Sequence, residues 1–115
     1  MTHARVEIIL GCMFSGKSTE LLRRCHRYEA IDQNVLLINH SSDSRTDDSI
    51  KTHRNVKHNA LKTDSLLSII NTDDFNEAHV IGIDEAQFFS DLYKFVLAAE
   101  KYNKTIIIAG LDGDF

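Results

Sequence analysis

Residues 6–18 read Val6-Glu7-Ile8-Ile9-Leu10-Gly11-Cys12-Met13-Phe14-Ser15-Gly16-Lys17-Ser18. An apolar run leads without a break into the pattern G-x-x-x-x-G-K-[ST], and helix-compatible residues follow. Strand, glycine-rich turn and helix in that order are the setting in which this pattern forms a phosphate-binding loop. A chain of this length and ordinary composition would show the pattern by chance roughly 0.5% of the time. Gly11 and Gly16 let the backbone bend until successive N–H groups point at the phosphates, and the helix N-terminus adds its positive dipole end. Lys17 supplies an ammonium to the β- and γ-phosphates. Ser18 offers a hydroxyl to Mg²⁺, and Thr19 places a second hydroxyl nearby. Cys12, Met13 and Phe14 occupy free positions of the loop; Met13 and Phe14 either line a neighbouring pocket or pack beneath the loop. The motif implies a bound nucleoside triphosphate.

The rest of the chain alternates strand and helix signals, which implies a parallel sheet covered by helices. Leu21, Leu22, Cys25 and Tyr28 recur at helical spacing after the loop, with Arg23, Arg24 and Arg27 between them. Val35-Leu36-Leu37-Ile38 is a short apolar run of the kind found in strands buried on both faces. Asp64 is placed to cap a short helix carrying Leu66, Leu67, Ile69 and Ile70. Val80-Ile81-Gly82-Ile83 reads as a third strand. Leu92, Phe95, Val96 and Ala99 fit i, i+3, i+4, i+7 on a helix that starts at Ser90 or Asp91. Thr105-Ile106-Ile107-Ile108-Ala109-Gly110 reads as the last strand. The expected fold class is α/β: one phosphate-loop NTPase-like (RecA-type) domain over residues 1–115, with a mainly parallel sheet and flanking helices. Residues 40–59 are polar with little periodicity. Compact domains rarely hold structureless loops of that length, so the stretch is either functional or an excursion such as a hairpin. It contains Asp43-Ser44-Arg45 and also His40, His53 and His58, whose spacing fits no zinc pattern; the three are read as surface histidines.

Composition narrows the function classes. The 115 residues carry a net charge of −4 and are 43% hydrophobic. That is enough apolar material for one core, and the wrong sign for general binding to nucleic acid or a membrane surface. The arginines of the first helix read as a solvated face. There is no proline, so no proline-rich linker marks a domain boundary. The first apolar run is too short for a signal-peptide core or a membrane span. A bridge between Cys12 and Cys25 would tether the nucleotide loop, so both read as reduced thiols in a cytosolic compartment.

Val80-Ile81-Gly82-Ile83-Asp84-Glu85 is an apolar strand ending in two carboxylates. In phosphate-loop proteins a strand-end Asp such as Asp84 holds Mg²⁺ beside the loop hydroxyl. Glu85, directly after it, stands where it can take a proton from whatever attacks the γ-phosphate. Such sites gather beyond the carboxyl ends of parallel strands, which brings Gly11, Asp84 and Gly110 together. Gln87, Phe88 and Phe89 add an amide and two aromatic faces. Two enzyme classes share this pairing. Asp84-Glu85-Ala86-Gln87 looks like the second motif of helicases, but a motor needs a second domain and a basic groove, and this chain has neither the length nor the charge. The other class is a small-molecule kinase, in which Glu85 deprotonates a hydroxyl rather than a water; a nucleotide-binding module without turnover is the third reading.

Four segments together resemble the type II thymidine kinase family, the cytosolic and poxviral type. They are Gly11-Cys12-Met13-Phe14-Ser15-Gly16-Lys17-Ser18-Thr19-Glu20-Leu21, Asp43-Ser44-Arg45, Ile83-Asp84-Glu85-Ala86-Gln87-Phe88-Phe89 and Ala109-Gly110-Leu111-Asp112-Gly113-Asp114-Phe115. The resemblance implies transfer of the γ-phosphate of ATP to the 5′-hydroxyl of deoxythymidine with Mg²⁺, in the cytoplasm, by a homo-oligomer that is usually a tetramer, with no nucleic-acid or membrane partner. It puts ATP on Gly11, Cys12, Met13, Phe14, Ser15, Gly16, Lys17, Ser18 and Thr19, on Asp43, Ser44 and Arg45, and on Asp84, Glu85, Ala86 and Gln87. Glu85 matches the family's proton acceptor; Lys17 and Arg45 are the cations on the transferring phosphoryl group. Ser18 and Asp84 are the metal candidates. Met13 and Phe88 match positions near the thymine ring, and Phe115 an aromatic substrate contact. Cys12 stands where the family usually has proline, His53-Arg54 replaces a more usual His-Asp, and Asp114 sits where a small hydroxyl residue is common. Family members continue into a closing loop over the thymidine and a small domain with four zinc-binding cysteines. Neither is present in these residues, so the chain is expected to be a shortened form or a fragment holding no zinc.

Overall fold

The computed structural model describes residues 5–9, 16–40, 49–51 and 57–110. Five of its strands form one sheet, β1 (Arg5–Ile9), β2 (Val35–His40), β5 (Leu61–Thr63), β6 (Val80–Ile83) and β7 (Thr105–Ala109), in the order β1-β7-β6-β2-β5. Every neighbouring pair in it is parallel. The expected α/β architecture of a parallel sheet with flanking helices is therefore what the chain adopts. The remaining strands, β3 (Ser49–Lys51) and β4 (Lys57–Asn59), pair antiparallel. The polar stretch after β2 thus contains a short antiparallel ladder among its described residues.

The helices divide between the two faces for a topological reason. From β1 the chain crosses the sheet in one direction to β2; from β5 to β6 and from β6 to β7 it returns in the other. Right-handed crossovers then put the connections on opposite faces. The first crossover is helix α1 (Lys17–Glu29), whose Leu21, Leu22 and Cys25 pack with Ile9, Leu37, Val80, Ile107 and Ala109. The return crossovers carry α2 (Asp73–Glu77) and α3 (Leu92–Lys101), and Phe75, Phe95 and Ala99 pack with Ile38, Ile81, Ile83, Ile106 and Ile108 on the other side. Gly82 sets how closely α1 approaches: a Cβ there would lie 2.8 Å from Leu37 Cδ2 and 3.1 Å from Cys25 Sγ. A larger residue there would force the Leu37, Cys25 and Leu21 side chains to shift.

One local expectation needs correction. Asp64 is exposed and caps no helix; residues 67–69 form a single 3₁₀ turn whose first residue lacks a side-chain cap. The turn is held from a distance instead, because the Asp91 carboxylate accepts the Leu67 N–H (3.0 Å) and the Ser65 hydroxyl (3.2 Å). Asp91 does precede α3, as the periodicity implies, yet its side chain caps none of that helix's N–H groups. The short helix α2 had no apolar periodicity to announce it. Thr72 caps it by accepting the Phe75 N–H, and Lys104 closes its other end by donating to the carbonyls of Asn76 and Ala78 (3.2 and 2.7 Å).

The arginines on α1 are not a bare solvated face either. Arg24 bridges Glu20 (2.7 Å) and Glu7 (3.1 Å), Arg23 pairs with Glu20, and the Tyr28 hydroxyl donates to Glu7 (2.6 Å). Hydrogen bonds from Arg23 and Arg24 hold the Glu20 carboxyl down at about 2. The stripe ties α1 to β1.

Candidate active site

The site is assembled at the carboxyl ends of the parallel strands, where the N-terminus of α1 meets the end of β6. Gly16 immediately precedes α1 with φ 78° and ψ 31°, and its carbonyl accepts the first helical N–H, from Glu20 (3.0 Å). This left-handed conformation carries no Cβ penalty only for glycine, which is why the loop pattern has glycine before lysine. Lys17, Ser18 and Thr19 follow in the first turn of α1. The N–H groups of that turn have no helical acceptor, so the helix start suits an anion. The remaining loop candidates Gly11, Cys12, Met13, Phe14 and Ser15 lie outside the described residues, as do Asp43, Ser44, Arg45 and Phe115.

Asp84 ends β6 with only 1% of its surface exposed. Its N–H donates to the Ile38 carbonyl (2.9 Å), and its Oδ1 accepts the Glu85 N–H (3.0 Å). Alternation along the strand fixes its direction. A Cβ at Gly82 would meet Leu21 and Cys25 of α1, so Asp84, two residues on, faces the α1 side too. Glu85 then takes φ 55° and ψ 43°, a left-handed backbone in a residue that has a Cβ. Such conformations cluster at functional sites because the surrounding fold must hold them. The chain closes at once into a 3₁₀ turn over Ala86–Phe88, with the Phe88 N–H donating to the Glu85 carbonyl (3.1 Å). Ala86 is buried, Phe89 is buried behind it, and Phe88 is left 51% exposed. The pair of consecutive carboxylates is thereby split, one buried toward α1 and one on the rim.

The structure brings in two residues that the sequence reading passed over or misread. Asn39 is 1% exposed on β2. Ile38 pairs with Ile83, so the next rung sets Asn39 beside Asp84 on the α1 side. The signal was available, since an amide directly after an apolar run is a polar group inside the sheet. His40 is not a surface histidine. Its ring packs edge-on against Phe89 (centroids 4.8 Å apart) and tilted against Phe88 (5.7 Å). No local pattern could have revealed that, because the partners are in another strand connection. Among the described residues no group of three His, Cys, Asp or Glu is arranged to hold a metal ion. A cavity of about 730 Å³ lies elsewhere, at the amino ends of β2 and β6, and its lining includes Glu29, Asp32, Asp74 and Glu77. Those carboxylates would repel a phosphate.

Chemically, the arrangement offers an anion seat at a helix start, a buried carboxylate facing it, a second carboxylate on the rim and a half-open aromatic ring beside that one. Residues 4–115 match the family described as Thymidine kinase. The chain is 40% identical to a thymidine kinase of raccoon poxvirus over 115 residues, covering all of this chain and 64% of that protein. It is 42% identical to the human protein named thymidine kinase, cytosolic, over 114 residues, covering 99% of this chain and 48% of that one. The cytosolic thymidine kinase of Cricetulus griseus is 40% identical with the same coverage. The chain thus spans about half to under two thirds of the length of these relatives.

Proposed function

The chain belongs to the thymidine kinase family, and from that premise we propose that it transfers the γ-phosphate of ATP to the 5′-hydroxyl of deoxythymidine. The observation that carries the reading is the divided carboxylate pair at the end of β6, Asp84 buried toward α1 and Glu85 turned out by its left-handed backbone. The N-terminal turn of α1, with Gly16 before it and Lys17 in it, seats the triphosphate. The loop from Gly11 to Ser15 and the segment Asp43-Ser44-Arg45 complete that seat, with Arg45 and Lys17 balancing charge on the transferring group. Ser18 and Asp84 are the residues that would hold Mg²⁺, and the burial of a carboxylate on the α1 side fits a cation there; bound Mg²⁺ supplies neutralising charge to the phosphate oxygens.

In the transfer, the 5′-oxygen of the nucleoside forms a bond to the γ-phosphorus as the bond from that phosphorus to the β–γ bridging oxygen breaks. Glu85 takes the proton the hydroxyl loses, and ADP leaves. Phe88 gives the thymine ring an apolar face, with Met13 and Phe115 as further contacts. Homo-oligomerisation and a cytosolic setting come with the same family reading; two of the relatives carry "cytosolic" in their names. No helix among the described residues is long and apolar enough to cross a membrane.

The test is γ-labelled ATP with Mg²⁺ and the purified 115-residue chain, offered deoxythymidine or single-stranded nucleic acid. Label should pass to thymidylate, slowly because Phe88 stands half open to water, and nucleic acid should not stimulate ATP consumption. Glu85→Gln should lower kcat roughly 10²–10⁴-fold while leaving ATP binding nearly unchanged. An unaltered kcat would remove Glu85 from the mechanism, and stimulation by nucleic acid alone would point to a motor ATPase.

A further inference from the structure

A rim carboxylate that acts as a base must be aimed, and a glutamate side chain has three torsions with which to wander. The turn after β6 contains a device against that. The Gln87 side chain folds back over the turn, and its Nε2 donates to Glu85 Oε2 at 2.9 Å. The opposite end of the same amide lies close against the residue that follows the neighbouring strand. A Cβ on Gly110, the residue after β7, would lie 2.6 Å from Gln87 Oε1, 2.8 Å from the Ala86 nitrogen and 2.8 Å from Glu85 Cα. Gly110 has φ 105°, a conformation glycine alone adopts without strain. Its bare backbone therefore lets the whole turn over residues 85–87 settle on the end of β7, with the Gln87 amide wedged between that backbone and the carboxylate.

We infer that Gln87 is a positioning residue for Glu85: its amide, seated on Gly110, fixes one carboxylate oxygen and leaves Oε1 presented to the acceptor hydroxyl. The inference rests on Glu85 acting as the base. It is distinct from a role for Gln87 as a nucleotide contact: one of the two amide N–H groups goes to the carboxylate, and the kinetics of the variants separate the two roles. Two near-isosteric changes separate donor from shape. Gln87→Met keeps the length and removes the donor; Gln87→Glu keeps the shape and replaces the donor with a second negative charge against the carboxylate.

The experiment measures thymidylate and inorganic phosphate formed by the 115-residue chain from labelled Mg-ATP, with thermal melting as a check on folding. Gln87→Met should lower kcat about tenfold while KM for ATP and for deoxythymidine stay within about twofold, since a misaimed group loses rate rather than affinity. Gln87→Glu should lose more. Unchanged kcat in both variants, or a raised KM for ATP at unchanged kcat, would overturn the inference, the second result making Gln87 a nucleotide contact. If the unsubstituted chain releases phosphate but makes no thymidylate, the acceptor reading falls while phosphate release still reports on Gln87. A readout independent of turnover completes the set: the Gln87 side-chain amide resonance should shift in Glu85→Ala with the backbone spectrum otherwise preserved. A resonance that does not move would mean that the bond is absent in solution, which also overturns it.

Discussion

Cys25 lies against Gly82 in the packing between α1 and the sheet, with no exposed surface. Burial pushes its thiol up to about 12, with the carboxylates of Glu29 and Glu7 adding to the effect. A thiol with that value is protonated throughout the range in which proteins are handled, and the thiolate is the reactive form. Cys12 lies outside the described residues; on the proposed reading it belongs to the phosphate loop, where backbone N–H groups and the start of α1 would favour the thiolate. In mildly alkaline buffer an alkylating reagent should therefore modify Cys12 alone in the native protein. Mg-ATP should slow that reaction, and Cys25 should react only after denaturation. Mass spectrometry of the labelled peptides reads the result. Native-state labelling of Cys25 at a comparable rate would contradict the packing of α1.

At the scale of elements, Asp91 is the tie between the 3₁₀ turn over Leu67–Ile69 and the start of α3. Burial works against its charged form, but the N–H groups of Leu67 and Leu66 and the Ser65 hydroxyl outweigh it, so its pKa sits below the ordinary 3.8. A carboxyl depressed in the folded state stabilises above its unfolded value, and the contribution is lost as pH falls through the folded one. Asp91→Asn keeps an acceptor oxygen but removes the charge from half-buried hydrogen bonds, and should cost about 1 kcal/mol near neutral pH. The difference from the unsubstituted chain should shrink as the pH drops below 3.8. Urea melts at several pH values give the comparison, and a deficit that is the same at all of them would mean Asp91 acts through shape alone. The helix α3 could be read from its own spacing, because Phe95 and Ala99 point to one core. The 3₁₀ turn could not, because what holds it is a carboxylate 24 residues away.

For the molecule as a whole, the sheet has one edge that invites association. β1 stands at the end of the strand order among the described residues, and Val6 and Ile8 on it are 40% and 49% exposed. Both point to the side opposite α1, beyond the cover that α3 gives to β7. An edge strand with unpaired backbone groups and apolar side chains is a template for pairing with another chain. The 115-residue chain should associate with rising concentration in light scattering, and Ile8→Lys should suppress it without lowering Tm. A chain that stays monodisperse at millimolar concentration would show that the edge is covered. The sequence by itself determined the class of fold, the strands β1, β2, β6 and β7, the helices α1 and α3, the left-handed Gly16 that opens α1, and the carboxylate pair Asp84-Glu85. Each of these is written in local spacing: a motif of fixed length, a period of 3.6 or an unbroken apolar run. Only the tertiary structure decided the strand order, the seat of Asn39 beside Asp84, the packing of His40 on Phe88 and Phe89, and the hold of Gln87 and Gly110 on the turn carrying Glu85. The physical reason is that each depends on which strands become neighbours, and that choice is made by crossover handedness and core packing across the whole chain, not by any window of it.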